Sequence, residues 1–435
     1  MTYNPRVPET SSSAPRPGAD RCPGVLRLAE AADGLIARVR LPGGLVSGEQ
    51  LRVLARLAGE LGDGRAELTS RGNVQLRGLA ASAAGPLTGA LAQAGLLPSL
   101  THDRVRNVLA SPLAGLDRGA DLTGVVRALD VALRARPRLA ELPGRFLFAV
   151  DDGRGDVAGL GADVVATVRP DGAVVNGLSV AQAGAAGKDV LAGGAPGADF
   201  LVKAARDTDA VVPAALRDDV VSVMIACAEA FLDLRGEFGG TAWRVADLPD
   251  GPGRVRARVA SRLGLGATAK LAAATRAARP VGLVAREGTG AGGQSPATVR
   301  DNPDFSAVLI APLGRLTGAQ LSWMADRVAG RAARVTPWRS VVLPGLADAA
   351  AVLREAAGLG FGTDEASPWL RVTACAGRPG CASAQADVQA DAAGFAARWP
   401  GRIVHVSGCA RHCGRPAAAE VDVTATSEGY QVAGV

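Results

Sequence analysis

"TSRGNVQLRGL" at residues 69–79 and "TPWRSVVLPGL" at residues 336–346 are two versions of one segment. Thr69, Val74, Leu76, Gly78 and Leu79 recur in register as Thr336, Val341, Leu343, Gly345 and Leu346. Working outward, "LPGGLVSGEQL" at 41–51 is answered by "APLGRLTGAQL" at 311–321, with Pro42, Gly44, Gly48, Gln50 and Leu51 matching Pro312, Gly314, Gly318, Gln320 and Leu321. A three-residue length difference separates the two blocks. Self-similarity of this kind marks an internal duplication.

Local chemistry supports the alignment. Ser47-x-x-Gln50 and Thr317-x-x-Gln320 both read as capping boxes, in which the two side chains satisfy orphan N–H groups at a helix start. Leu51, Leu54, Ala55 and Ala58 then form an apolar stripe at helical spacing, as do Leu321, Met324, Ala325 and Val328. Strand-like runs flank each helix: "LIARVRL" and "VQLRGL" in the first copy, "SAVLIAP" and "SVVLPGL" in the second. A small α+β unit therefore occurs twice, and each copy is followed by a larger segment. The expected organisation is a tail over 1–20, a half-unit over 21–98 and a large α/β segment over 99–250. A second half-unit with its linker follows over 251–350, then a second large segment over 351–435. The polar, Gly-rich stretch "RPVGLVAREGTGAGGQSPATVRDNPD" from Arg279 reads as a loop. The predicted class is α+β with pseudo-twofold A–B–A′–B′ architecture.

Composition limits the functions available. The chain has 435 residues, 48% of them hydrophobic, and a formal charge of +6, which suits an anionic partner. No basic block is interleaved with aromatics, so nucleic acid is not expected. No apolar run is long enough to span a membrane. The Pro/Ser-rich first twenty residues lack the apolar core of a signal peptide, and a cytoplasmic location is expected. Thiols stay reduced there, and grouped cysteines more often hold metal than form disulfides.

Four of the six cysteines lie in "CAGRPGC" at 375–381 and "SGCARHCGRP" at 407–416. Cys375 and Cys381 have C-x5-C spacing, and Cys409 and Cys413 have C-x3-C spacing. Both pairs follow predicted strands, "WLRVTAC" and "RIVHVSGC". Four thiolates can hold a structural zinc or an iron–sulfur cluster. The C-x5-C spacing is loose for a zinc ribbon, and its Gly and Pro let the chain wrap a larger object. Cys227, on an apolar helix face, reads as core. Cys22 is either a loop cysteine or one that faces a site, and the loop is the expectation.

The cysteine pattern together with the duplicated unit resembles the sulfite/nitrite reductase superfamily over nearly the whole chain after the tail. Within it, "ACAGRPGCASA", "HVSGCARHCGRP" and "CPGVLRL" are most similar to the precorrin-3B synthase branch of aerobic cobalamin biosynthesis. That resemblance implies a 4Fe-4S cluster on Cys375, Cys381, Cys409 and Cys413. It also implies a tetrapyrrole polycarboxylate substrate, molecular oxygen, an electron donor and a non-haem iron. The implied reaction is hydroxylation of precorrin-3A with lactone formation from a ring acetate, giving precorrin-3B.

The resemblance further implies carboxylate-binding roles for Arg71 in "TSRGN", Arg106 in "VRNVLASPL" and Arg145 in "LPGRFLF". Arginine suits the task because its planar fork grips a carboxylate with two N–H groups and stays charged. The chain departs from the reductases at two places. Leu147 stands where they carry a second basic residue, and "CARHC" replaces their "CPNxC". Both departures argue against a permanently held sirohaem. A sirohaem-dependent sulfite or nitrite reductase is the alternative reading, and a non-catalytic iron–sulfur electron carrier is a second. The histidines, His102, His405 and His412, show no ligand spacing. They read as structural, and no ligand for a second iron is named.

Overall fold

The computed structural model describes residues 20, 22–117, 119–169, 172–176, 178–180, 214–264, 280–285, 305–328, 330–416 and 418–434. Residues 1–19 of the expected tail and most of the stretch read as a loop lie outside them. Within that stretch, residues 282–285 form a strand.

The first half-unit comprises β1 (Ala29–Ala31), β2 (Gly34–Val39), β3 (Leu45–Ser47), α1 (Gly48–Leu61), β4 (Arg65–Leu68), β5 (Val74–Leu79) and α2 (Ala84–Gln93). The segment after it contains β6 (Val108–Ala110), α3 (Thr123–Arg134), β7 (Phe148–Asp151), β8 (Val164–Arg169), β9 (Gly172–Val175), β10 (Leu178–Val180), α4 (Ala214–Glu237) and α5 (Gly251–Leu263). The second half-unit has β11 (Gly282–Ala285), β12 (Phe305–Ile310), β13 (Arg315–Thr317), α6 (Gly318–Arg327), β14 (Ala332–Val335), β15 (Ser340–Leu346) and α7 (Ala349–Gly358). The last segment has β16 (Val372–Ala374), α8 (Val388–Arg398), β17 (Val404–Ser407), β18 (Val421–Thr426) and β19 (Gly429–Ala433).

Both capping boxes form. Gln50 N donates to Ser47 Oγ at 3.2 Å and Ser47 N to Gln50 Oε1 at 3.0 Å. The Thr317–Gln320 pair repeats the pattern at 3.2 and 2.9 Å. The two stripes, from Leu51 to Ala58 and from Leu321 to Val328, are buried in one core shared by α1 and α6.

The two half-units are also interlocked through their sheets. β3 of the first copy completes the sheet β11-β12-β15-β14-β3 of the second, and β13 of the second completes β1-β2-β5-β4-β13 of the first. Val46 pairs with Ala333, and Leu316 pairs with Ala66. Crossing so close to the partner sheet requires glycine at Gly44. Its φ is +71°, and a Cβ there would lie 2.0 Å from the carbonyl oxygen of Val335.

The two large segments repeat each other as well. β6, β7 and β8 run parallel with β9 antiparallel beside them, and β16, β17, β18 and β19 do the same. Helix α5 carries Val255 and Val259 into the core of the first large segment, together with α4. That segment therefore runs past the expected boundary at 250, to about Leu263. Helix α7 packs Ala349 and Ala356 into the half-unit core, which extends the second half-unit past 350. Among the described residues no helix is long and apolar enough to cross a membrane.

Candidate functional site

The parallel pairing of β16 with β17 decides where the thiols go. Parallel neighbours place like ends side by side, so the segments leaving both strands emerge together. Cys375 directly follows β16, and Cys409 lies just beyond β17. Cys375 N donates to Val406 O at 3.0 Å, and Gln385 N donates to Gly408 O at 2.7 Å. Gly408 N points at the Cys375 sulfur, 3.1 Å away. The loops approach so closely that a Cβ at Gly408 would come 2.7 Å from Ala384 Cβ. Cys381 and Cys413 lie further along the same two loops, and all four thiols are free.

This donor set fits a cluster better than a single ion. Zinc bonds of about 2.3 Å in a tetrahedron draw thiolates to roughly 3.8 Å from one another. Among the described residues no three of these sulfurs lie within 4.8 Å of one another. A cubane with a separate iron for each thiolate spreads its ligands further, and a backbone N–H aimed at sulfur stabilises the charge it carries.

The first cysteine loop rests on the first half-unit. Arg77 binds Asp33 with two N–H groups, both at 3.0 Å, and donates to the carbonyl of Gly380 between the first two cysteines. A second connection crosses the sheet. Arg38 Nη2 donates to Gln75 Oε1 at 2.9 Å, Gln75 Nε2 to Glu67 Oε2 at 3.0 Å, and Arg315 lies 3.5 Å from Glu67. Arg315 also donates to Gln389, whose amide donates to the carbonyl of Cys375 at 3.1 Å. A row of polar side chains thus runs from β2 to Cys375.

At the near end of that row the arginines gather. Alternation in β2 buries Ala37 and Val39 and turns Arg38 to the other face, with Arg40 following. Arg40 is 2% exposed. Its Nη2 reaches the carbonyls of Pro23 and Arg104, while Nε and Nη1 find no partner. Burial pulls its pKa down to about 9, and the charge of Arg38 adds to the effect. Arg38 Nε is also unpartnered, and burial lowers its pKa. Burial, then the charge of Arg244, lowers Arg71 to about 10. Arg71 Nη1 donates to Gly144 O at 3.3 Å. Arg145, the next residue, is exposed, with its guanidinium 4.9 Å above the Trp243 ring. Cys22 lies in a loop, as expected, and also borders this cluster. Burial and Asp20 push its thiol pKa up, while Arg145 and Arg71 act against them.

Arg106 is placed differently from Arg71 and Arg145. It is buried, and its fork is occupied by Asp130 at 2.5 and 3.2 Å, with Leu96 O accepting a third N–H. Its charge is balanced inside the fold, so the expected substrate role gives way to a structural one. Leu147 is buried with Leu109, Ala149 and Val157, which accounts for an apolar residue there. Sequence reasoning missed Arg38 and Arg40. The available signal was two arginines at i and i+2 in an otherwise apolar strand.

His102 is satisfied by Ser99, Thr101 and the carbonyl of Arg136. His405 is fully buried, with Nδ1 2.9 Å from Thr373 Oγ1 and burial pulling its pKa down to about 4. Cys227 is in the core, its thiol pushed up to about 12 by burial. Among the described residues no set of two histidines and a carboxylate is assembled, so nothing here fits a facial-triad iron. The end of β7 and the segment after it, which corresponds to the second cysteine loop, hold Asp151, Asp152 and Asp156 instead. Arg154 pairs with Asp152 and Asp117 and neutralises much of that charge.

Comparison with known proteins bears on the fold. A nitrite/sulfite reductase ferredoxin-like half domain matches residues 28–94. The Mycobacterium tuberculosis NirA protein shares the fold with a TM-score of 0.66 at 19% identity, over 92% of this chain and 74% of that one. The chain therefore has the fold of that protein and a half domain of the nitrite/sulfite reductase type. A precorrin-3B synthase from Sinorhizobium sp is 29% identical over 94% of this chain and 81% of that protein. A ferredoxin–nitrite reductase from Leptolyngbya laminosa is 35% identical, but over 26% of this chain and 24% of that protein.

Proposed function

We propose that this chain is an iron–sulfur oxidoreductase that hydroxylates precorrin-3A with molecular oxygen and closes a ring acetate to a lactone, giving precorrin-3B. The observation that carries the reading is the group formed by buried Arg40 with half-buried Arg38 and Arg71, with N–H atoms of Arg38 and Arg40 lacking partners, joined by a polar row to Cys375. Unpartnered buried guanidinium N–H groups are costly alone and are satisfied by carboxylates. A macrocycle bearing many carboxylates supplies them.

Cys375, Cys381, Cys409 and Cys413 would hold the 4Fe-4S cluster, which supplies single electrons when bound. Hydroxylation inserts one oxygen atom into a C–H bond and reduces the other to water, so two electrons and two protons must come from an external donor. The arginines bind and orient the substrate by its acid groups. Arg145, exposed beside Trp243, can release its carboxylate readily, as turnover requires. Leu147 leaves no second cation there, which favours a departing substrate over a permanently clamped sirohaem.

The half-domain likeness to nitrite reductases supports a sirohaem-dependent reductase as the second reading. One experiment separates the two. Anaerobically prepared protein supplied with precorrin-3A, a reductant and ¹⁸O₂ should yield a hydroxylated lactone carrying one labelled hydroxyl oxygen. It should reduce neither sulfite nor nitrite with reduced methyl viologen. Sulfide or ammonia production without precorrin oxidation would overturn the assignment.

A further inference from the structure

The stretch "TAWRVADLPD" at residues 241–250 joins α4 to α5 and runs past the arginine group. Its backbone is held by two carboxylates. Asp247 Oδ2 accepts from the N–H of Trp243 at 2.9 Å and from that of Arg244 at 3.0 Å. Buried Asp163 accepts from Arg244 Nε at 2.7 Å, from Val245 N at 2.8 Å and from Leu147 N at 2.9 Å. One carboxylate thus ties the connection to the segment that carries Arg145, and the half-buried Trp243 ring comes to lie 4.9 Å beneath the Arg145 guanidinium. Ala242, Val245 and Leu248 are buried, which pins the turn that presents the indole.

We propose that Trp243 is a positioning residue for the substrate: it holds the Arg145 guanidinium at the exposed edge of the arginine group and leaves its N–H fork open to a carboxylate. An exposed arginine samples many rotamers, and a ligand that binds it must stop that motion. An aromatic face restrains the side chain without using a hydrogen bond, because the cation is attracted to the ring's electron-rich face. A carboxylate partner would restrain it too but would also occupy the fork, as Asp130 occupies that of Arg106. Arg145 has no carboxylate partner among the described residues. It also lies close enough to Cys22 for its charge, like that of Arg71, to oppose the rise that burial causes in the thiol pKa. The guanidinium is therefore held in place beside the other arginines with its charge unspent. The inference rests on the reading of these arginines as a carboxylate site, and not on the oxygen chemistry.

The test titrates uroporphyrin I, a flat tetrapyrrole with eight carboxylates, into the full, cluster-loaded protein and follows its absorbance. Arg145→Ala should weaken binding about tenfold. Trp243→Leu should weaken it about threefold, and Trp243→Phe, which keeps an aromatic face, should recover most of that loss. Because Trp243 acts through Arg145, Trp243→Leu should add nothing in the Arg145→Ala background. A tryptophan that only supported the fold would weaken binding equally in both backgrounds. Trp243→Met, whose flexible chain fills much of the same space, carries the same comparison if the leucine variant does not fold. Additive losses would overturn the proposal, as would unchanged affinity in Arg145→Ala. Binding that Arg145→Ala weakens and Trp243→Leu does not would overturn this inference alone. No saturable binding by the wild type would remove the carboxylate site itself, and this inference with it.

Discussion

Arg77 on β5 donates to the carbonyl oxygen of Gly380 at 3.0 Å, across 303 residues of sequence. The same guanidinium binds Asp33, and the pair is nearly buried, with side chains 10% and 11% exposed. The loop that carries Cys375 and Cys381 is therefore fastened to the first half-unit by a charge that solvent does little to screen.

Removing that fastening should loosen the cluster. Arg77→Ala leaves Asp33 without its partner and is expected to cost about 3 kcal/mol. The expected outcome is a lower Tm and faster iron loss to a chelator. Arg77→Lys should recover only part, because a point charge cannot serve Asp33 and Gly380 together. Iron loss at the wild-type rate in Arg77→Ala would show that the loop is held elsewhere.

Each of Cys375, Cys381, Cys409 and Cys413 is expected to be needed for one 4Fe-4S cluster. Replacing any one with serine should lower iron and labile sulfide together and reduce stability, because the binding energy of a metal site is part of the folding energy. Stoichiometric zinc without labile sulfide in anaerobically purified protein would contradict this.

Arg38 and Arg71 should separate from Arg106 in binding assays. Arg38→Ala and Arg71→Ala each remove a charge-assisted contact of roughly 1.5–3 kcal/mol and should weaken precorrin binding tenfold or more. Arg106→Leu breaks the buried pair with Asp130 and should cost about 3 kcal/mol of stability while leaving the affinity of the folded protein nearly unchanged. The reverse pattern would return Arg106 to the substrate site.

Burial, with help from Asp151, pushes the Asp156 pKa up to about 7. A folded pKa above the unfolded value favours the protonated folded protein, so this contribution is present below about pH 4 and is lost as pH rises through 7. At pH 8 the loss is on the order of 4 kcal/mol. Asp156→Asn keeps an oxygen for Ser111 and cannot ionise. It should unfold at a higher temperature than wild type at pH 8 and at a similar one near pH 4. Parallel pH curves for the two proteins would rule out Asp156 as the titrating group.

The sequence by itself determined the duplication, both helix starts and the thiol set, because each is written in short-range pattern. A capping box needs residues three apart, an apolar stripe needs a period of 3.6, and paired cysteines need only a loop. Tertiary structure decided what depends on partners distant in the chain. That β3 and β13 exchange sheets is invisible locally, since a three-residue strand carries no sign of the sheet it joins. Arg106 and Arg40 look alike as letters in apolar strand-like segments. Only folding brings Asp130 to one and leaves the other with buried N–H groups that meet no hydrogen-bond partner, and that difference makes one structural and the other a candidate for the substrate.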